Sequence, residues 1–261
     1  MYEFEFVKPT TVADAVAALG EEEAQALGGG QTLIPTLKQR LAMPATLVSL
    51  TGIAEMKGVK AEGGTVTIGG GTTHGTVAKE AASAYPALAA LASNIGDPAV
   101  RNRGTIGGSL ANNDPSACYP AAALASGATI VTSSREIAAD DYFQGMFTTA
   151  LEDGEIVTAV RFPVPEKAAY IKFEQPASRF ALVGVFVAKY ADGVRVAVTG
   201  ASEEGVFRWS EAEAALSANF SAAALEGLSV PADGMIGDLH GSKEYRAHLV
   251  GVLTKRAVAA A

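Results

Sequence analysis

The chain has 261 residues, 49% of them hydrophobic and 18% charged, which is an ordinary composition for a globular protein of two or three compact units. Its formal net charge of -8 and the lack of any lysine or arginine run argue against binding to a nucleic-acid backbone. The single cysteine, Cys118, excludes an internal disulfide, a cysteine-rich zinc site and an iron–sulfur cluster within this chain.

The first fifty residues predict a small α/β unit. Residues 2–7 alternate apolar and acidic side chains, the pattern of a half-buried strand, and they lack the basic and apolar regions of a secretion signal. Residues 11–20 form a helix that opens on a threonine cap. A strand at 24–27, a glycine turn at 28–30 and a following helix make a βαβ-like opening. Because no 18 apolar residues run together, we expect a cytoplasmic protein without membrane insertion.

The middle of the chain predicts a second unit that is richer in strands. The alternating strand 65–68 meets Gly69-Gly70-Gly71, and Thr73 is placed to cap a helix that follows. Further on we predict helices at 78–84 and 87–95, a helical or buried segment at 121–126, and strands at 128–132 and 155–162.

The last hundred residues predict an end domain of strands covered by helices. Strands at 170–174, 182–190 and 194–199 form a three-stranded antiparallel sheet, whose second turn contains Asp192-Gly193, a hairpin signal. Helices are predicted at 210–216, 221–225 and 242–258. The fold class is therefore α+β, and we divide the chain into units at 1–54, 55–163 and 164–261, the last boundary marked by Pro163 and Pro165.

Three glycine clusters carry the functional signal: Gly28–Gly30, Gly69–Gly71 and the set Gly104, Gly107 and Gly108. Each alone is compatible with a tight turn. Two of them combine a strand exit, glycines and hydroxyl or amide side chains before a helix, an arrangement whose backbone N–H groups bind anions. The spacing matches neither the P-loop nor the Rossmann glycine motif. The clusters therefore indicate a phosphate-binding site of another kind.

Four motifs occur in a fixed order along the chain: Gly29-Gly30-Gln31-Thr32-Leu33-Ile34-Pro35, Thr72-Thr73-His74, Arg101-Asn102-Arg103-Gly104-Thr105-Ile106-Gly107-Gly108-Ser109 and Asn113-Asp114-Pro115. In this order they resemble the FAD-binding medium subunit of molybdenum hydroxylases of the carbon monoxide dehydrogenase and xanthine dehydrogenase type. The resemblance extends over essentially the whole chain. It implies a PCMH-type, vanillyl-alcohol-oxidase-like two-part fold that holds FAD between the first two units.

Carried onto this chain, the resemblance implies cofactor-binding residues but no catalytic residue and no metal ligand. The loop 28–34 would wrap the pyrophosphate and ribityl chain, the segment 104–109 would bind from the opposite side, and Val100 and Ile156 would give apolar contact. The implied set is Gly28, Gly29, Gly30, Gln31, Thr32, Leu33, Ile34, Val100, Gly104, Thr105, Gly108, Ser109, Asn112, Asp114, Cys118 and Ile156.

Two positions depart from the family pattern. Cys118 stands where many relatives have an aspartate that suits a sugar hydroxyl. A thiol is a weak hydrogen-bond acceptor, so that hydrogen bond would be weakened. Alternatively, Cys118 is a small buried residue that only fills space. Glu174 stands where relatives often carry a basic residue near the isoalloxazine. A negative charge there would lower the reduction potential of the flavin. Alternatively, the Glu174 side chain is solvated on the surface of the sheet. We expect the nearby Lys172 to point to the opposite face of its strand.

The remaining polar residues of the motifs have less specific interpretations. We expect His74 to have a structural role, capping and packing at a helix start, rather than that of a catalytic base. Arg101 and Arg103 could neutralise cofactor phosphates or face a partner subunit, and the sequence leaves both readings open.

The resemblance implies an FAD-carrying electron-transfer subunit of a molybdenum hydroxylase. It would take electrons from [2Fe–2S] clusters on a small subunit, with a molybdopterin large subunit as the second partner, in a dimer of heterotrimers, and pass them to an external acceptor. Two alternatives remain: a self-contained FAD-dependent oxidase or reductase of the same fold, and an assembly subunit that has lost its flavin.

Overall fold

The computed structural model describes all 261 residues and contains ten α-helices and four β-sheets, so the predicted α+β class is confirmed. None of the helices is long and apolar enough to cross a membrane.

The N-terminal sheet has three parallel strands in the order β1-β3-β2. Its elements are β1 (Glu5–Val7), α1 (Val12–Leu19), β2 (Ala24–Leu27), α2 (Leu33–Lys38) and β3 (Thr46–Ser49). The predicted βαβ opening is confirmed, because β2 and β3 are parallel neighbours joined through α2. The predicted threonine cap is also present, since the Thr11 hydroxyl accepts a hydrogen bond from the N–H of Asp14 at 3.1 Å.

The middle of the chain forms a five-stranded antiparallel sheet, in the order β4-β5-β10-β6-β7, and a separate hairpin of β8 and β9. Its elements are β4 (Val59–Glu62), β5 (Thr65–Gly69), α3 (His74–Glu80), α4 (Pro86–Ser93), α5 (Pro98–Arg101), α6 (Ile106–Asn112), α7 (Tyr119–Ala125), β6 (Thr129–Thr132), β7 (Glu136–Ala138), α8 (Ala139–Tyr142), β8 (Phe143–Gly145), β9 (Thr148–Thr149) and β10 (Val157–Pro163).

One prediction for the middle region was wrong, and the helices α5 and α6 were missed. The separate helix at 78–84 does not form, because the Thr73 cap starts α3 at His74 and Pro86 forces the preceding Tyr85 out of helical geometry, to φ -143 and ψ 77. The glycine stretch after residue 97 contains the unpredicted helices α5 and α6. Their caps were visible in the sequence, but glycines inside α6 lower its helix propensity.

The C-terminal sheet has four antiparallel strands, not the predicted three. Its elements are β11 (Lys167–Glu174), β12 (Ala181–Tyr190), β13 (Gly193–Ser202), β14 (Gly205–Arg208), α9 (Ser210–Ala218) and α10 (Lys243–Ala260). The missed strand β14 is only four residues long, too short to show an alternating pattern, and pairs with β13 through Val198 and Phe207. The predicted hairpin is confirmed, with Tyr190 opposite Gly193.

Strand β12 is buried on both faces and joins the two main cores. Val183, Val185 and Val187 face a cluster of 21 buried residues beneath α9 and α10. Phe186 and Ala188, on the alternate face, belong to a cluster of 30 buried residues built on the helices of the middle region. A strand covered on both sides is continuously hydrophobic, which explains its sequence Ala-Leu-Val-Gly-Val-Phe-Val-Ala.

Candidate functional site

A cavity of about 740 Å³ lies where the three regions of the chain meet. The turn after β2 and the N-terminal half of α6 line it. Residues at the start of β10 line it as well, and so does the exposed turn between β11 and β12. Cavities of this size hold cofactors and other small molecules.

The loop from Gly28 to Leu33 lines this cavity and has unused backbone hydrogen-bond donors. None of its six backbone N–H groups donates to an acceptor within the chain, and the internal bonding of α2 resumes only at Ile34, which donates to the Gly30 carbonyl at 3.1 Å. Gly30 has φ +72, a left-handed conformation that glycine adopts without strain. Consecutive free amides at a helix N-terminus bind an anionic group without needing a lysine.

The glycines of the three clusters let backbones touch each other. A Cβ on Gly29 would overlap the carbonyl of Arg103, and one on Gly107 would lie 2.7 Å from the Gly70 carbonyl oxygen. A Cβ on Gly104 would lie 2.5 Å from the His74 ring. These three glycines have ordinary φ values, so close approach rather than a tight turn explains them. The clusters form one packed wall behind the cavity.

The segment 104–109 does not offer the free donors that the sequence suggested. The N–H groups of Ile106 and Gly107 bind the carbonyls of Thr72 and Gly70 at 3.1 and 2.9 Å, and that of Gly108 binds the Thr105 hydroxyl at 3.2 Å. Only the Thr105 N–H lacks an acceptor in the chain within this segment. The two neighbouring parts of this wall therefore differ: Gly28–Leu33 has free amides, whereas the N–H groups of residues 106–109 already have acceptors within the chain.

Fifteen of the sixteen sequence-predicted residues line the cavity. The exception is Ile34, whose side chain fills the space beside Gly30 where a Cβ would otherwise be. The cavity also has lining residues that we did not predict, among them Gly70, Gly71, His74, Ile95, Gly96, Gly107, Glu155, Lys172, Ser178, Arg179 and Phe180. The glycine cluster at 69–71 could have indicated Gly70 and Gly71. The turn 178–180 has no sequence pattern that indicates a binding site.

His74 is a buried, neutral imidazole in the cavity wall. It is 5% exposed, its ring centroid lies 5.4 Å from that of Tyr119, and its Nδ1 has no hydrogen-bond partner. Burial, assisted by the positive charge of Arg101, lowers the pKa of His74 to about 4. The predicted packing role agrees with this position, whereas the cap itself is Thr73, whose hydroxyl accepts from the N–H of Thr76.

The expected orientation of Lys172 was wrong. Side chains two residues apart in a strand share a face, and the Lys172 ammonium lies 3.9 Å from the Glu174 carboxylate. Lys172 has a side chain that is 1% exposed and lines the cavity, whereas Glu174 is 50% exposed and does not. Cys118 lies 3.9 Å from the Lys172 ammonium, and its burial raises the pKa of the thiol.

Neither arginine of the third motif lines the cavity. Arg101 donates to the carbonyls of Ile95 and Gly96 at 3.1 and 2.8 Å, so its guanidinium fixes the loop before α5. Arg103 is exposed. The arginines of this motif therefore do not face the cavity, whereas the loop Gly28–Leu33 with its free backbone amides lines it.

Comparisons with known proteins agree with this geometry. The family model described as "FAD binding domain in molybdopterin dehydrogenase" matches residues 2–165. The carbon monoxide dehydrogenase medium chain of Afipia carboxidovorans is 34% identical over 98% of this chain and 95% of its own length. The nicotine 6-hydroxylase medium subunit of Paenarthrobacter nicotinovorans is 33% identical over 97% and 95%. The crystal structure of carbon monoxide dehydrogenase from Hydrogenophaga pseudoflava has a TM-score of 0.88 at 34% identity, covering 100% of this chain and 97% of that chain.

The α+β fold and the amide-lined cavity agree with a nucleotide-binding protein, and the family match identifies its cofactor as FAD. Relatives that match over nearly their full length are subunits of dehydrogenases and hydroxylases. The chain belongs to the family of FAD-binding domains in molybdopterin dehydrogenases, and it is an oxidoreductase subunit.

Proposed function

We propose that this chain is the FAD-carrying electron-transfer subunit of a molybdenum hydroxylase. It takes electrons from [2Fe–2S] clusters on a partner subunit and passes them to an external acceptor. The observation that carries the proposal is the row of six unpaired backbone amides in Gly28–Leu33, at the wall of a cavity large enough for a cofactor. Membership of the FAD-binding family supports the identity of the ligand.

The residues of the cavity fit FAD. Hydrogen bonds to a charged acceptor contribute roughly 1.5–3 kcal/mol each, so a few of the amides in Gly28–Leu33 suffice to hold the pyrophosphate. The Thr105 N–H and the Ser109 hydroxyl bind from the neighbouring segment 104–109, and Asp114 and Asn112 take the remaining polar groups. Bound FAD supplies the redox chemistry, while the chain supplies its placement and its electrostatic surroundings.

The proposed site comprises residues that line the cavity and were expected from the sequence: Gly28, Gly29, Gly30, Gln31, Thr32, Leu33, Val100, Gly104, Thr105, Gly108, Ser109, Asn112, Asp114, Cys118 and Ile156. Ile34 acts by packing beside Gly30. The PCMH-type two-part arrangement, with units at 1–54 and 55–163 and an end domain at 164–261, belongs to the same proposal. The three main sheets, which lie within these ranges, support it.

The proposed partners are a small subunit with [2Fe–2S] clusters and a large molybdopterin subunit, in a dimer of heterotrimers in the cytoplasm. The names of the relatives, "medium chain" and "medium subunit", support a role within a multi-subunit enzyme. One cysteine cannot hold an iron–sulfur cluster, so the clusters must belong to another chain. The organic substrate is bound by the partners, in keeping with relatives that act on molecules as different as carbon monoxide and nicotine.

A visible absorption spectrum of the purified chain tests the cofactor. We expect flavin absorption that co-elutes with the protein, or that appears when the apoprotein is titrated with FAD, and release of FAD rather than FMN on denaturation. A chain that is correctly folded and takes up no flavin would overturn the proposal and favour the assembly-subunit alternative.

Co-purification tests the partners. An affinity tag on this chain should retain a cluster-containing subunit and a molybdopterin subunit, and the tagged chain alone should not oxidise an organic substrate. A yellow, monomeric protein that turns over a substrate by itself would instead support the self-contained oxidase or reductase.

A further inference from the structure

A buried arginine of the last helix joins two strands of the C-terminal sheet. Arg246, on α10, is 3% exposed. One of its terminal nitrogens donates to the carbonyl oxygens of Leu182 at 2.7 Å and Gly200 at 2.8 Å, and the other donates to the Asp238 carboxylate at 2.7 Å. Its Nε has no acceptor, so the end of the guanidinium makes all of these hydrogen bonds. A buried charge needs hydrogen bonds and an opposite charge, and this one has both.

The two carbonyl groups belong to residues that the strand pairing leaves out. Leu182, near the start of β12, has no partner in the register with β11 or β13. Gly200, in β13, has none in the register with β12 or β14. The last residue of β13 that pairs with β12 is Thr199, so the two strands separate here. Both residues are buried, and Arg246 supplies the donors that the sheet does not.

A segment of the cavity wall binds where the two strands separate. The Gly200 N–H donates to the Pro115 carbonyl at 2.7 Å, and the Thr199 hydroxyl lies 2.8 Å from the same oxygen. The residues on either side of this proline, Asp114 and Ser116, line the cavity. Gly200 therefore accepts from the arginine through its carbonyl and donates to the cavity wall through its N–H.

The backbones of β12 and β13 touch at this point. Gly200 has φ +81, and a Cβ on it would lie 2.5 Å from the carbonyl oxygen of Ala181. Leu182, the next residue, follows closely on the turn 178–180, which also lines the cavity. The arginine thus holds together two strand ends, and a different part of the cavity wall is attached to each of them.

We propose that Arg246 is a positioning residue for the cofactor: from the C-terminal helix it fixes the segment 114–117 and the turn 178–180 in the places where they contact FAD. The inference rests on the proposed function. Arg246 does not line the cavity, so its effect on FAD is transmitted through the two strand ends. A guanidinium suits this role because its planar fork directs several donors to separate acceptors.

The experiment compares FAD dissociation constants in variants that are both destabilised. Arg246→Met keeps a long side chain but removes every donor, so the dissociation constant should rise about tenfold, the equivalent of one lost hydrogen bond to the cofactor. Leu253→Ala is the matched control. Leu253 lies on the same helix and is buried in the C-terminal core, so its truncation lowers the thermal midpoint without removing a hydrogen bond to β12 or β13. Its dissociation constant should stay within about twofold of the wild-type value.

Fluorescence titrations with FAD are made at a temperature at which far-UV circular dichroism shows every variant folded. The visible circular dichroism of the bound flavin is recorded in parallel, because it reports the surroundings of the ring, and it should change in Arg246→Met only. Wild-type affinity in Arg246→Met overturns the inference. Equal losses of affinity in Arg246→Met and Leu253→Ala also overturn it, because a loss shared with the control follows from lower stability alone.

A second variant tests the inference if Arg246→Met does not fold. Arg246→Lys keeps a positive charge for Asp238 but places all its donors on a single atom, so it cannot reproduce the planar fork. Its dissociation constant for FAD should rise about threefold, and wild-type affinity in this variant overturns the inference.

Failure of the inference can be distinguished from failure of the proposed function. A wild-type chain that binds no FAD contradicts the proposed function. A wild-type chain that binds FAD, with arginine variants that bind it equally well, contradicts only the role of Arg246.

Discussion

Gly29 lies against the carbonyl group of Arg103, and no other residue type leaves room for that contact. At the residue scale, the cavity wall depends on glycines, because the lack of a side chain lets neighbouring segments pack closely. Gly104 and Gly107 make comparable contacts with His74 and Gly70. The free amides of the neighbouring loop are positioned by these contacts, so a single methyl group is expected to disturb FAD binding.

Gly29→Ala should weaken FAD binding at least tenfold and destabilise the fold by about 1–3 kcal/mol, because the added Cβ must push two backbone segments apart. Fluorescence titration with FAD and urea denaturation measure the two effects. Gly251→Ala is the control: no atom lies within 4 Å of its Cβ position in α10, and alanine there should stabilise the helix by about 0.5–1 kcal/mol. Equal FAD affinity in Gly29→Ala and the wild type would show that the contact is dispensable.

Because His74 is buried, we expect the free energy of unfolding to depend on pH. Burial lowers its folded pKa to about 4 from an ordinary value of 6.5, so between these values the unfolded chain binds the extra proton and the folded chain does not. The contribution of neutral His74 to the free energy of unfolding is therefore complete above pH 6.5, and it is lost as the pH falls toward 4. Between pH 7 and pH 5 the loss should be about 2 kcal/mol.

Urea denaturation of the wild type and of His74→Gln at pH 7 and pH 5 measures this loss, since glutamine does not titrate. The exposed His240 and His248 are present in both proteins, so their contribution cancels. The difference in unfolding free energy between the two proteins should shift by about 2 kcal/mol in favour of the glutamine variant at pH 5. A difference that is independent of pH would mean that His74 is protonated in the folded chain.

At the element scale, one carboxylate joins the β6–β7 turn to the segment before β10. Glu155 accepts hydrogen bonds from Thr132, Ser134 and Arg135, and also from the Glu152 N–H at 2.8 Å. Burial works to raise the pKa of Glu155, yet these hydrogen bonds together lower it to about 2. The next residue, Ile156, lines the cavity, so this junction fixes part of the cavity wall.

Glu155→Gln should destabilise the chain by about 1–3 kcal/mol at pH 7, because donors that now meet a carboxylate would meet a neutral amide. Because the pKa of Glu155 is lowered in the folded chain, the difference in unfolding free energy between the wild type and the variant is complete above about pH 4.5. This difference declines as the pH falls toward 2. Thermal unfolding at pH 7 and pH 3 measures it. Glu152→Gln is the control: its side chain is 76% exposed, and its ion pair with Arg135 should contribute less than 1 kcal/mol. Equal losses in both variants would contradict the role of Glu155.

At the scale of the whole molecule, the C-terminal sheet is bound to the middle region through side chains and backbone. Tyr170 and Phe186 belong to the core of the middle region. The Thr199 hydroxyl lies 2.8 Å from the Pro115 carbonyl and 2.7 Å from that of Ala117, and the Gly200 N–H donates to Pro115 at 2.7 Å. Pro115 and Ala117 lie within three residues of Asp114, which lines the cavity, so the C-terminal sheet also holds this part of the cavity wall.

The middle and C-terminal units should therefore unfold together in a single transition. Differential scanning calorimetry should give a calorimetric enthalpy equal to the van't Hoff enthalpy for that transition. A chain shortened to residues 1–163 should expose the core face that Tyr170 and Phe186 cover, and bind the dye ANS. Two separate transitions, or a stable 1–163 fragment that binds FAD, would contradict this prediction.

Local patterns predicted much of the fold. The strand at 24–27, the caps Thr11 and Thr73 and the hairpin before Gly193 depend on residues within one turn or one strand, and all are confirmed. The ordered motifs likewise carried the resemblance that identified the family, and 15 of the 16 residues that this resemblance implied line the cavity. Whether those residues contact FAD stays a prediction.

What only the tertiary structure decided is which polar groups remain free. The amides of α6 are occupied by the carbonyls of Gly70 and Thr72, which belong to a distant segment, while those of Gly28–Leu33 have no acceptor. The burial of Lys172 likewise depends on Asn94 and Arg179, which the strand pattern does not reveal. Sequence periodicity fixes the direction of a side chain relative to its own element, and the partners it meets are set by how distant elements pack.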